Sequence, residues 1–148
     1  MSTLKEILSR PNARPQVIRD CEQIIDEEVA SKGLTGFPIK AAYAVVKAIK
    51  PGFIPDVIND LLDDFADRLD PLYQAAKAKN EPVTVYFNAH TGEAAEALLG
   101  ITDQRAKRAK NQVVRTAYEK LRPMAKKHTE AAIPRVGKMI AKHESAAG

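Results

Sequence analysis

The chain has 148 residues, of which 45% are hydrophobic and 28% are charged, and its formal net charge is +4. This length and composition exclude a chain that is disordered over most of its length, and they predict a single domain over residues 1–148 with a hydrophobic core. The only cysteine, Cys21, excludes both an intramolecular disulfide and a zinc site with several cysteine ligands.

The expected location of the protein is the cytoplasm. The first residues lack the apolar run and the small-residue cleavage site of a secretory signal peptide. The longest apolar stretch, within residues 37–49, is interrupted by Lys40 and Lys47 and is too short to span a bilayer. A single cysteine also fits a reducing compartment. We therefore expect a soluble protein without a transmembrane segment.

The first long helix is predicted by apolar residues that recur at helical spacing between Val17 and Val29. Pro15 suits the first turn of this helix, and Gly33 occupies the position expected of a C-terminal cap. We interpret residues 33–36 as the turn that leads to the next helix.

Residues 38–49 are apolar around most of the helix circumference, and only Lys40 and Lys47 mark a narrow polar line. A helix that is hydrophobic on nearly all sides is usually buried. We therefore expect this helix at the centre of the domain, with Pro51 and Gly52 ending it.

A third helix is predicted from Pro55 to about residue 79, and one of its faces is acidic. Four aspartates follow helical spacing and share that face: Asp60, Asp63, Asp64 and Asp67. A straight helix spreads these carboxylates along its length, which does not favour a metal site. The face is interpreted as solvated, with docking of a basic helix as the alternative, including internal pairing between residues 56–70 and the basic C-terminal region.

Residues 83–87 are ambiguous because their β-branched and aromatic side chains favour a strand. The chain has no second strand-like run that could pair with them. We therefore predict a short helix for this segment.

The C-terminal part of the chain predicts four further helical elements, one of them over residues 124–132. Gly100 is expected to end a helix that begins near residue 93, and a longer helix is predicted over residues 103–122. Pro123 marks the end of that helix, and Pro134 opens a last one. The final residues are expected to fray.

The strongest functional signal is a basic C-terminal region. Residues 101–148 hold twelve Lys or Arg and four Asp or Glu, whereas residues 1–100 are net acidic. In the predicted helix 103–122, three arginines spaced by seven share one side, and two lysines follow; we predict this set to bind anions: Arg108, Arg115, Arg122, Lys126 and Lys127. The alternatives are a solvated face and internal pairing. No aromatic residues interleave with the basic ones, so stacking on single-stranded nucleic acid is not indicated.

Signatures of catalysis are missing from the sequence. The three histidines form no metalloprotease motif, and no nucleophile elbow, phosphate-binding glycine loop or dinucleotide fingerprint occurs. Cys21 lies on the apolar stripe of the first long helix and is interpreted as a core residue. We therefore predict no catalytic residue, no metal site and no cofactor. A deep polar pocket that gathers His90 and Glu93 would favour an enzyme instead.

Several runs of the sequence carry a resemblance to a known type of protein. The runs are residues 33–36, 40–57, 98–106 and 118–128. With them, the chain resembles small uncharacterised bacterial proteins of the domain-of-unknown-function type over almost its whole length. The resemblance implies a single helical domain and supplies no activity, cofactor or catalytic residue.

Together these patterns predict an all-α protein, a single compact domain of six or seven helices around a buried central helix. The expected function is that of a non-catalytic cytoplasmic interaction or binding module. The alternative is an anion-binding or nucleic-acid-binding protein that uses residues 103–142.

Overall fold

The structure, a computed structural model, describes residues 2–31 and 37–147, and within this range the side chains of residues 37–39 are not described. Seven α-helices cover most of these residues: α1 (Leu4–Leu8), α2 (Arg14–Ala30), α3 (Phe37–Lys47), α4 (Phe53–Ala78), α5 (Val83–Ala89), α6 (Thr91–Arg108) and α7 (Gln112–Ala147). The described residues contain no strand, and the all-α class is confirmed. The ambiguous segment 83–87 is helical as predicted, within α5.

The helix with the largest buried face is α4. It begins after Gly52, which is in the left-handed conformation with φ of 75° and separates it from α3. Its buried positions run from Ile58 to Ala76 at helical spacing and include Leu62, and they contribute to the hydrophobic core. Pro71 lies inside α4 on the exposed side, where water can satisfy the carbonyl that loses its N–H partner.

The prediction that residues 38–49 form a buried central helix is wrong. In α3, Ala42 is buried, but Ala41 and Ala44 are exposed and Val45 is 51% exposed. The helix lies at the side of the domain, where it contacts α2, α4 and α7. Three of its apolar residues, Ala41, Ala42 and Ala44, are alanines, whose small side chain gains little from burial. The predicted turn at residues 33–36, with its Gly33 cap, lies outside the described residues.

The predicted helix 103–122 does not exist as one element. α6 continues through Gly100 to Arg108, and α7 begins at Gln112. Leu99 and Ile101 are buried on either side of Gly100, and this packing outweighs the cost of about 1 kcal/mol that a glycine imposes inside a helix. The real boundary is marked by Asn111, whose side-chain oxygen accepts a hydrogen bond from the backbone N–H of Val113 at 2.8 Å.

α7 is longer than predicted because neither of its prolines ends it. The helix runs through Pro123 and Pro134 to Ala147, so the predicted break at Pro123 and the predicted helix start at Pro134 are both wrong. Its last turns are anchored on α4, where Glu144 accepts hydrogen bonds from the hydroxyl of Tyr73 and from Nζ of Lys77 at 2.5 Å. α7 contacts α1, α2, α3, α5 and α6.

Among the described residues, no helix combines the length and the hydrophobicity that crossing a bilayer requires.

Candidate functional site

An apolar cavity lies between four helices that contact one another in a ring, α2 with α4, α4 with α6, α6 with α7, and α7 with α2. Its volume is about 460 Å³. Each of the four helices contributes large aliphatic or aromatic side chains to the wall, among them Ile24, Leu62, Phe65, Leu98, Leu121 and Val136. The cavity therefore lies between these helices and is partly open to the surface of the domain.

The cavity exists because α7 presents small side chains where the neighbouring helices leave space. Ala125, Thr129 and Ala132 line it on successive turns of α7, between the larger Leu121 and Val136. The spacing of these residues keeps them on one face of the helix. Protein interiors otherwise pack as densely as organic crystals. Three small residues in a row on the inner face leave a volume that no side chain of the wall fills.

The large side chains of the wall are buried or half-buried. Val45, Val85 and Val113 are the exposed large hydrophobic residues among those described, and none of them lines this cavity. A dry apolar cavity of only about 150 Å³ binds small aromatic molecules in an engineered protein. Ligand sites in proteins span about 300–1,000 Å³ and are mostly apolar with a few polar groups. The cavity has the size and the surface of such a site.

One cluster of polar groups belongs to the wall between α6 and α7. The hydroxyls of Thr102 and Tyr118, both lining residues, are 2.9 Å apart. Tyr118 donates its hydrogen to Asp103, which also accepts from Nε of Arg122 at 2.8 Å and from Nη2 at 3.1 Å. Arg122 and Asp103 therefore form a two-pronged ion pair behind the hydroxyl pair.

The protonation states in this cluster follow from its geometry. Burial, together with the hydrogen bond to the Asp103 carboxylate, raises the pKa of Tyr118 to about 12, and the phenol is neutral at pH 7. The hydrogen bond from Arg122 lowers the pKa of Asp103 and outweighs the effect of desolvation. The cluster therefore combines two neutral hydroxyls with a carboxylate that is ionised.

Cys21 also lines the cavity, from α2. Burial, and then the nearby negative charge of Asp20, raises the pKa of its thiol to about 12. A thiol of this kind stays protonated and is a poor nucleophile. Cys21 packs against the hydrophobic core, as the sequence predicted.

The five predicted anion-binding residues do not form one row. Arg108 is the exposed last residue of α6, whereas Arg115 and Arg122 lie on α7. The prediction that the three arginines stack along one helix is therefore wrong for Arg108. Arg115 donates to the side-chain oxygen of Gln112 at 2.5 Å.

Two of the predicted cations already have carboxylate partners. Arg122 binds Asp103, as described above, and Nζ of Lys126 lies 2.9 Å from the carboxylate of Glu96 on α6. Lys127 is exposed. The structure thus ties part of the predicted anion site to the acidic residues of α6.

The acidic face of α4 pairs with the N-terminal helices and not with the arginine row. Asp63 accepts hydrogen bonds from the hydroxyl of Ser9 at 2.6 Å and from Nη1 of Arg14 at 2.8 Å. Asp67 lies 3.9 Å from Nζ of Lys5. This face therefore attaches α1 and α2 to α4.

His90 and Glu93, which would favour an enzyme if a polar pocket gathered them, do not line the apolar cavity. The ring of His90 stacks on Tyr86 at 4.0 Å, and its Nδ1 lies 2.8 Å from the backbone carbonyl of the same tyrosine. Within the described part of the chain, no group of three or more His, Cys, Asp or Glu is placed to hold a metal ion.

Fold and cavity define an all-α protein with an apolar cavity between its helices. The chain belongs to a family of unknown function, DUF6918, whose profile matches residues 4–144. This match confirms the predicted resemblance to a domain-of-unknown-function family; the bacterial origin stays a prediction. No curated protein and no solved structure matches the chain.

Proposed function

We propose that this protein is a non-catalytic binding protein that holds a small apolar molecule in the cavity between α2, α4, α6 and α7. The observation that carries the proposal is a volume of about 460 Å³ lined by an almost entirely apolar wall. An empty cavity of this kind lowers stability because its wall lacks contacts that a filled interior would have. A bound apolar molecule would restore those contacts and stabilise the folded state.

A small molecule suits the cavity better than a partner helix does. Helices of one domain form the wall on several sides, and its large side chains are buried or half-buried. Docking of a partner protein commonly uses an exposed apolar patch instead. The raised pKa of Cys21 supports binding over covalent chemistry, because the only thiol of the chain is protonated.

The proposal is tested by titrating the full chain with the uncharged fluorophore N-phenylnaphthylamine. The chain has no tryptophan, so protein emission does not interfere with the signal. Ala132→Phe places a ring in the cavity, and Ala131→Phe places the same ring at the next, exposed position of α7. We expect the wild type and Ala131→Phe to bind alike, and Ala132→Phe to bind about tenfold more weakly, which corresponds to about 1.4 kcal/mol.

Absence of binding by the wild type, or equal binding by both variants, would contradict the proposal. Circular dichroism shows whether each variant folds. If Ala132→Phe does not fold, Ala125→Leu is the replacement, since Ala125 also lines the cavity and needs a smaller added volume.

Anion binding by Arg108, Arg115, Arg122, Lys126 and Lys127 stays a prediction with less support, because Arg122 and Lys126 are paired with carboxylates. Binding to duplex DNA at increasing salt tests it. Contacts with several phosphates would make the affinity fall steeply as salt rises. No binding at low salt would reject this alternative.

We also propose that the protein works in the cytoplasm. The support is its single cysteine, which can form no intramolecular disulfide and so fits a reducing compartment. Cell fractionation with an antibody against the chain tests the location, and recovery in a secreted or membrane fraction would contradict it.

A further inference from the structure

We propose that the ligand of the cavity is an uncharged apolar molecule that carries a hydroxyl group, such as a long-chain alcohol, and that it is not a fatty-acid anion. This inference rests on the proposed function and specifies its ligand. Two independent features of the wall support it. The first is the set of charges that line the cavity, and the second is that both hydroxyls of the Thr102–Tyr118 pair already donate their hydrogens within the protein.

The described residues of the cavity wall carry no permanent positive charge. Among the described residues that line it, none is lysine or arginine, although the chain as a whole is basic. The charged side chain in the wall is Glu28, which accepts a hydrogen bond from Nε of Arg135 at 2.8 Å. His128 is the one lining residue there whose side chain can become a cation, and it does so only by protonation. Burial of a second carboxylate beside that of Glu28, without a lysine or arginine among the described lining residues, is costly.

The hydroxyl pair of Thr102 and Tyr118 can accept a hydrogen bond from a ligand but has no free hydrogen to donate to it. The Tyr118 hydrogen goes to Asp103. The Thr102 hydrogen goes either to the oxygen of Tyr118 at 2.9 Å or to the carbonyl of Leu99 at 3.2 Å. A hydroxyl has one hydrogen and two acceptor positions. The free positions of this pair are therefore lone pairs, which bind a ligand that donates a hydrogen.

The carboxylate behind the pair reinforces this selection. Asp103 is ionised and holds the Arg122 guanidinium through both of its oxygens. An incoming carboxylate would face lone pairs and a like charge, and it would have to displace Asp103 from Arg122. A neutral hydroxyl instead donates its hydrogen to the same oxygens without disturbing the ion pair.

Three competitors that share one alkyl chain test the inference: dodecanol, its methyl ether and dodecanoate. Each displaces N-phenylnaphthylamine from the full chain at neutral pH. We expect dodecanol to compete at about tenfold lower concentration than dodecanoate. Dodecanol gains one hydrogen bond to the hydroxyl pair and does not bury a charge. The ether, which accepts but cannot donate, should also compete more weakly than dodecanol. Thr102→Val removes one of the two acceptor oxygens and should weaken the preference for dodecanol over the ether, whereas Thr116→Val, outside this cavity, should preserve it.

Equal or tighter competition by dodecanoate would overturn the inference, and so would equal competition by the ether and the alcohol. If Thr102→Val prefers dodecanol over the ether as strongly as the wild type does, the assigned role of the hydroxyl pair is overturned. Each of these outcomes would contradict the proposed ligand specificity but not the proposal that the cavity binds apolar molecules. Failure of N-phenylnaphthylamine itself to bind the wild type overturns the proposed function instead, so the two failures are distinguishable.

Discussion

His143 of α7 lies beside Asp20 of α2, with 2.7 Å between Nε2 of the imidazole and Oδ2 of the carboxylate. Both residues are buried, with 4% and 9% of their surface exposed. Gln16 and Lys142 add hydrogen bonds to the same carboxylate at 2.8 Å and 3.1 Å. Desolvation alone would raise the pKa of Asp20, but these hydrogen bonds together lower it. The contact joins two walls of the cavity across 123 positions of the chain.

Removal of this carboxylate should destabilise the fold. We expect Asp20→Ala to lower the free energy of unfolding by about 2–3 kcal/mol, because the variant leaves buried donors without an acceptor. Urea unfolding followed by circular dichroism measures the change. Asp64→Ala is the control, since Asp64 is exposed on α4 and should change stability by less than about 0.5 kcal/mol. Equal stability of the two variants would contradict the prediction.

Three carboxylates predict how stability depends on pH. Hydrogen bonds from Ser9 and then Arg14 lower the pKa of Asp63, the Arg122 guanidinium lowers that of Asp103, and the pKa of Asp20 is lowered as described above. In the unfolded chain, where these partners are lost, each aspartate returns to its ordinary pKa of 3.8. On acidification the unfolded chain therefore takes up protons before the folded one, and this difference favours unfolding.

The melting temperature should consequently stay nearly constant from about pH 7 to pH 5 and fall steeply below about pH 4. The stability contributed by these carboxylates is present above the unfolded pKa and is lost as the pH falls through the folded pKa values. Thermal melts in buffers of constant ionic strength measure the dependence. In Asp20→Asn the melting temperature should fall less steeply with decreasing pH. If it falls as steeply as in the wild type, Asp20 does not contribute to the pH dependence.

The partners of the acidic face predict which arginine supports the fold. Arg14 donates to the side chain of Asn59 at 2.9 Å, to its backbone carbonyl at 2.7 Å and to Asp63 at 2.8 Å. Arg14→Ala should therefore cost about 1 kcal/mol, a modest value because the contact is partly exposed. Arg115→Glu should change stability by less than about 0.5 kcal/mol. A larger loss in Arg115→Glu than in Arg14→Ala would indicate that the acidic face pairs with the basic C-terminal region after all.

Hydrophobic periodicity predicted the helices that have one clear apolar face. α2 and α4 follow it closely, and Pro15 lies in the first turn of α2 as expected. The pattern failed at α3, where three of the apolar residues are alanines. A sequence pattern counts alanine as hydrophobic, but the free energy of burial depends on the area removed from water. Exposed alanines such as Ala41 and Ala44 are therefore compatible with a peripheral helix.

The cavity could not be predicted from the same pattern. Helical spacing places Leu121, Ala125 and Ala132 on one face of α7, but it does not measure how much of the space between helices they fill. That volume depends on how far apart α2, α4, α6 and α7 lie, which is a property of their packing. The run of small inner-face residues on α7 was the available signal, and it indicates a gap only once the opposite wall is known.

Substitution of Gly100 by alanine distinguishes the helix end expected from the sequence from the continuous helix of the structure. The two cases predict opposite signs for the change in the free energy of unfolding. In the structure Gly100 lies inside α6 without a positive φ, and an added Cβ would meet Nη1 of the flexible Arg68 side chain at 3.6 Å. Gly100→Ala should therefore raise the free energy of unfolding by about 0.5–1 kcal/mol, the difference in helix propensity between the two residues. Gly52→Ala is the matched control: it has open space around it but a φ of 75°, and it should destabilise by about 1 kcal/mol. If Gly100 ended the helix in a left-handed conformation, both variants would lose stability in urea unfolding, and the continuous α6 would be wrong.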